Sequence, residues 1–176
     1  MKRFILSLLV AVSSMVASAQ VWVGGSLGLS VTDPEGGDAV TSLVISPEVG
    51  YNLNKKWGLG VALEESALFT GNYNANAFYF TPFGRYSFAR AGIANFFVDG
   101  GLQVGCQNFD SNLAKTDSHT AFGMGFRPGV KVELNHHLAL EAKTGFLGVR
   151  VVTDVATQFG FGVNNEDLSF GLVYEF

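Results

Sequence analysis

The residues in this sequence best placed for chemistry are ten charged side chains in segments where alternate residues are mostly apolar. They are Glu48, Glu64, Asp99, Glu133, Glu141 and Glu175, with Arg85, Arg127, Lys131 and Lys143. If each segment is a strand, its charges share one face. Buried charges persist only when paired and hydrogen-bonded, so these acids and bases read first as a structural ion-pair network. A narrow ion or water path between them is the functional alternative. Hydrolytic chemistry asks for a His beside a Ser or an Asp, and Asp117-Ser118-His119 is such a run. Adjacent residues in a loop are not a geometry, so it stands as a remote candidate. His136 and His137 fall in a polar stretch and read as solvated turn residues. Cys106 is the only cysteine, which leaves no internal disulfide and no Cys-rich metal site. No phosphate-binding glycine loop, zinc spacing or calcium-loop pattern is present. No catalytic residue, metal ligand or cofactor is therefore expected.

What positions these groups is set by composition and by the first residues. Lys2 and Arg3 precede an apolar run from Phe4 to Val12, and Ala17-Ser18-Ala19 supplies the small residues a signal peptidase reads. The run is too short to span a bilayer as a helix. Residues 1–19 are expected to be a cleavable export signal, cut between Ala19 and Gln20, with 20–176 as one domain. No Cys stands at the cut, so a lipoprotein anchor is not expected. Without Lys2 and Arg3 the eleven basic residues fall to nine, against fifteen acidic ones. That balance excludes the basic patch of a nucleic-acid binder. Gly occurs 22 times and Phe 16 times, and only 15% of residues are charged, where a soluble domain has about a quarter. Yet after residue 19 no stretch approaches the roughly 18 consecutive apolar residues of a spanning helix. In lipid every backbone polar group must be paired within the protein, which leaves a closed β-barrel.

Period-two alternation supports that reading. Eight segments carry it, beginning at Val21, Leu43, Gly58, Phe78, Phe96, Phe122, Leu138 and Leu168. Each is about ten residues long, the length a tilted strand needs to cross a bilayer. The sixth is the cleanest: Phe122, Met124, Phe126, Pro128, Val130, Val132 and Leu134 oppose Gly123, Gly125, Arg127, Gly129, Lys131 and Glu133. A soluble sandwich or lipocalin-like barrel also alternates, with its apolar face inside. Three features favour the membrane form: aromatics near strand ends (Tyr51, Trp57, Tyr86, Phe88, Tyr174, Phe176), connections alternating short and long, and the C-terminal strand. The short connections are expected at residues 54–56, 89–95 and 135–137. The long ones are expected at 32–42, 107–119 and 149–167, with 70–76 a short exception among them. Glu65 does not fit the outward face of the third strand, which suggests the outer interface or a bulge. Pro47, Pro82 and Pro128 sit at equivalent points, and a proline inside a strand normally marks an edge or a bulge, so a recurring bulge is expected.

These segments resemble the small eight-stranded outer-membrane barrels, the group of OmpX, the OmpA transmembrane domain and the outer membrane protein beta-barrel proteins common in Bacteroidetes. The resemblance rests on the Ala-x-Ala leader before Gln20, on the segments Pro47 to Tyr51 and Pro82 to Tyr86, and on the last strand. It implies an all-β, eight-stranded antiparallel up-and-down transmembrane barrel in the outer membrane of a Gram-negative bacterium. The alternating Leu168, Phe170, Leu172, Tyr174 and terminal Phe176 look like the family's signal to the outer-membrane assembly machinery. An even strand number with short periplasmic turns puts both termini in the periplasm. The expected role is structural or surface-interacting and non-enzymatic. The expected partners are outer-membrane lipid, lipopolysaccharide and a surface ligand of the outer loops, and the expected state is a monomer. A narrow porin-like channel for ions or small solutes is the alternative, and a lipid A-modifying hydrolase a remote one. The interior of eight strands is just wide enough for side chains to fill, and a porin-sized pore needs about sixteen.

Overall fold

The computed structural model describes residues 20–32, 40–69, 73–111, 114–143, 146–152, 156–162 and 168–176. Ala17, Ala19 and the rest of the expected leader lie outside these residues. Ten strands are formed: β1 (Val21–Thr32), β2 (Val40–Asn52), β3 (Trp57–Phe69), β4 (Tyr73–Ala91), β5 (Ala94–Ser111), β6 (Ala114–Glu133), β7 (Leu138–Lys143), β8 (Phe146–Val152), β9 (Ala156–Gly162) and β10 (Ser169–Glu175). From β1 to β6 each strand pairs antiparallel with the next. The second half of β6 then pairs with β7 and its first half with β8, so these two are lengths of one stave. β9 and β10, which pair with β8 and β7, make the eighth, and β10 closes on β1. The result is a closed, eight-staved, all-antiparallel barrel.

The registers also give its stagger. From Leu27, paired residues run through Ile45, Glu65, Phe78 and Cys106 to Thr120 on β6. In the other direction they run through Phe170 and Ala142 to Val130, ten residues further along the same strand. A stagger of that size belongs with strands tilted about 35–45° from the barrel axis.

Local chemistry fixes the short turns. In both Leu53 to Trp57 and Leu134 to Leu138 an Asn side chain folds back on the two residues that restart the chain. The Asn54 carboxamide oxygen accepts from the Lys56 and Trp57 amides (2.9 and 3.0 Å). That of Asn135 accepts from His137 and Leu138 (2.9 and 2.8 Å). These are Asx turns, and the repeat Leu-Asn-x-x-apolar is their sequence mark. The turn expected over residues 89–95 is only Gly92 and Ile93, with Gly92 at φ 60°. Glycine at the first central position suits the tight hairpin turn that matches strand twist.

Two expectations are corrected. The loop expected over 107–119 is mostly strand: β5 and β6 stay paired out to Ser111 and Ala114. The loop expected over 149–167 likewise contains the rest of β8 and all of β9. Polar composition suggested loop over 107–119, whereas pairing is made by backbone groups and does not depend on side-chain polarity. The bulge expected at each proline is absent at Pro47 and Pro82. Within the β4–β5 and β5–β6 pairings the shifts fall at Ser87/Ala89 and Phe109/Ser111, and the ladder keeps its register past Pro47 and Pro82. Beside Pro128 it holds toward β5 but slips by one residue on the other side, between Phe126–Leu147 and Gly129–Lys143. Pro47 and Pro82 each withhold one donor, but the pairing resumes there with its register unchanged.

The two faces of the wall differ as alternation requires. Leu27, Leu29, Ile45, Leu59, Leu102, Met124, Phe126 and Phe170 stand exposed on the exterior, while Trp22, Glu48, Arg85, Phe97, Asp99 and Glu141 are buried within. Val21, at the start of β1, has outward parity yet is buried. Aromatic pairs cluster at the end that carries the short turns. Trp57 packs on Tyr86 (centroids 4.6 Å apart), Phe88 on Phe96, His137 on Tyr174 (5.6 Å) and Tyr174 on Phe176 (5.0 Å).

Candidate functional site: the charged lumen

Strand parity delivers the interior charges, and register sets which of them meet. Arg85 and Asp99 are direct partners across β4 and β5, and their side chains form a fork. Arg85 Nε donates to Asp99 Oδ1 (2.7 Å) and Nη2 to Oδ2 (2.8 Å). The same guanidinium donates across the lumen to Glu141 on β7 (2.7 and 3.2 Å) and lies 3.6 Å from Glu48 on β2. Lys143 closes the cluster, bonded to Glu48 (2.5 Å) and Glu141 (2.9 Å) and 3.5 Å from Asp99. Two cations thus hold three carboxylates, all five residues buried. A planar guanidinium suits this role because its donors reach two carboxylates at fixed angles. Its flat faces are used as well: its carbon is 4.0 Å from the Phe97 ring centroid and 4.8 Å from that of Trp22.

Three further pairs lie along the lumen. Glu64 accepts from Arg127 at 2.8 Å toward the loop end. Toward the turn end Lys131 pairs with Glu175, and Glu133 with Arg90 at 2.5 Å. Arg90 is absent from the charges singled out by alternation because it sits past the register shift at Ser87/Ala89, beside the turn. The bond between Gln107 and the buried Tyr79 hydroxyl also has no signal in the charge pattern; both residues have inward parity.

Aromatic rings fill the space the ions leave. Trp22, Phe83, Phe97 and Tyr79 each face a glycine directly across the ladder: Gly50, Gly60, Gly129 and Gly105. A Cβ on Gly50 would overlap the Trp22 indole, and one on Gly129 the Phe97 ring. The glycines are small so that rings can lie flat against the wall.

Among the described residues, open space lies on both sides of the cluster. A cavity of about 740 Å³ opens at the turn end and is bounded inward by Trp22, Arg85 and Phe97. Beyond the cluster lies a void of about 30 Å³ beside Thr81, Gln103 and Arg127, room for about a water molecule. The Thr81 hydroxyl, buried there, has no hydrogen-bond partner in the protein.

The other sequence candidates are spread over β5, β6, β10 and the turn at Leu134 to Leu138. Asp117 to His119 lie in β6, opposite Phe109, Asn108 and Gln107. The backbone there is extended strand, and the side chains of Asp117 and Ser118 lie outside the described residues. His136 is exposed in its turn, and His137 places Nδ1 2.8 Å from the Glu175 carbonyl oxygen. Cys106 is a partly exposed free thiol on the outward parity. Leu168, Phe170, Leu172 and Tyr174 face outward, and the Phe176 amide donates to the Val21 carbonyl at the closing seam. No group of three or more metal-binding side chains occurs among the described residues.

Comparison with known proteins agrees with this architecture. Neisserial surface protein A superposes with a TM-score of 0.58 at 16% identity, over 90% of this chain and 98% of that one. The N-terminal β-barrel domain of OprF from Pseudomonas aeruginosa gives 0.53 at 13% identity, over 89% and 98%. At those identities the likeness is one of fold. No curated protein matches the sequence. The outer membrane protein beta-barrel domain family matches residues 4–176. An integral outer-membrane address follows from that match and from the exposed apolar exterior: the chain belongs to the outer membrane protein beta-barrel domain family.

Proposed function

We propose that this protein is a non-conducting outer-membrane barrel that acts at the cell surface, as a structural or surface-interacting element without catalysis of its own. The observation that carries the reading is the plug: Arg85, its three carboxylates and the rings of Trp22 and Phe97 occupy the lumen at one level. A structural relative that is itself named a surface protein supports it. The short turns and both termini lie on the periplasmic side in this reading, and the opposite strand ends, at Thr32 and Val40 and at Val152 and Ala156, face outward. Leu168 to Phe176 present the strand by which assembly machinery recognises the chain, which then works as a monomer among lipid and lipopolysaccharide. The channel reading is favoured by the open 740 Å³ cavity alone, and that cavity ends at Arg85. Replacing 33–39 and 153–155 with Gly/Ser segments tests the surface role. Cells carrying the altered barrel are expected to lose adhesion or stress tolerance while keeping a folded barrel. Unchanged behaviour in every such strain counts against it.

A further inference from the structure

The exterior of the barrel is not evenly clad. One row of cross-strand partners runs Leu59, Gly84, Gly100, Phe126 over β3 to β6, so two adjacent outward positions have no side chain. Pro82, two residues from Gly84, is also short, and Leu102 and Met124 stand on the loop-end side. Together they enclose a groove of about 970 Å³ in the outer wall. Its sides are exposed apolar chains (Leu59, Leu102, Met124, Phe126), and Phe126 leans over Gly100. No charged side chain lines it, and its floor is strand backbone, paired at Phe83–Gly101 and Gly84–Gly100 and interrupted at Pro82, which has no amide to donate.

We propose that this groove holds one lipid acyl chain as an ordered ligand rather than passing boundary lipid. The inference rests on the integral-membrane address and not on the proposed surface role. The groove is continuous with the apolar exterior that lipid covers, so what reaches it is hydrocarbon. A polar or charged ligand finds no polar side chain there. Between apolar surfaces in lipid no hydrophobic gain remains, and association depends on packing contacts. A concave wall with a backbone floor offers a chain more such contacts than the convex surface elsewhere. Lipid that leaves the groove badly filled forfeits them.

Gly84 supplies a clean test, because a Cβ there meets nothing nearer than Leu59 Cδ2 at 3.8 Å. Gly84→Leu should fill the groove from outside and leave the lumen untouched. The purified barrel is reconstituted with a phospholipid carrying a photoactivatable diazirine at mid-chain, and adducts are mapped by peptide mass spectrometry. Adducts are expected to concentrate on Leu102, Met124 and Phe126 and to fall at least fivefold in Gly84→Leu. Those on Leu27 and Phe170, across the barrel, should not change. Heat-dependent gel mobility verifies that the variant is folded; should it not be, Gly84→Ala, a smaller filling, is read in its place. Equal labelling around the belt, or groove labelling that survives the substitution in the folded variant, overturns the proposal. So does protein–protein cross-linking through Met124, which would seat a second copy there instead.

Discussion

Replacing Arg85 with leucine removes the group on which the plug depends. The variant loses the two-pronged bond to Asp99 and both bonds to Glu141. Lys143 is then the single cation facing Glu48, Asp99 and Glu141. Removing one partner of a buried ion pair costs about 3–5 kcal/mol, chiefly because the other charge is left uncompensated. The leucine cannot replace the stacking on Phe97, which is worth about 2 kcal/mol when desolvated, but these contributions overlap and the lower range is used. With a urea slope of about 2 kcal/mol per molar, a loss of about 4 kcal/mol moves the unfolding midpoint down by about 2 M. The double variant Arg85→Leu/Asp99→Leu restores an excess of one carboxylate, as in the native cluster, and is expected to regain at least half of the loss. Trp22, 4.8 Å from the guanidinium, reports the transition directly in lipid vesicles once Trp57 is changed to Phe. A single variant with a native midpoint would refute the cluster as a source of stability. A double variant whose loss is the sum of the two singles would refute the coupling.

Other outcomes follow from the same geometry. Gly50→Leu should destabilise the barrel by about 1–3 kcal/mol through overpacking, and Trp22→Ala in the same chain should relieve part of it, both read from urea midpoints. Leu102→Arg, midway along the exterior of β5, should cost about 2–4 kcal/mol, the penalty for a lipid-facing cation near the bilayer midplane. Removing both side-chain bonds of the first turn with Asn54→Ala should cost about 1–3 kcal/mol, and Asn135→Ala a similar amount, measured the same way. Phe176→Ala should slow insertion by the assembly machinery in reconstituted membranes while the folded barrel keeps its heat-dependent gel mobility.

Alternation made the wall legible from sequence, and with it the face of each charge. Whether Glu48 or Glu64 meets Arg85 is a matter of register across several strands, which no single segment contains. Arg90 escaped notice because a register shift and a turn separate it from the alternating run. Pro47 and Pro82 misled for a related reason: a missing donor is visible in sequence, but the tolerance of the ladder around it is not. Of the three prolines, only Pro128 has a register slip beside it. Residues 107–119 read as loop because they are polar, although a strand that has left an apolar belt stays paired with polar side chains. The Asx turns were legible in principle, since Leu53 to Trp57 and Leu134 to Leu138 share one pattern. The pits in the outer wall were not, because Gly84 and Gly100 look like any other strand glycines until the register sets them side by side.

The central claim is that the lumen is closed by its own ion pairs and rings. The most direct measurement is single-channel recording of the purified native barrel in a planar bilayer, with insertion verified independently by protease protection. The account predicts no discrete current steps at any holding potential. Reproducible steps that persist across preparations and disappear with the protein would contradict it.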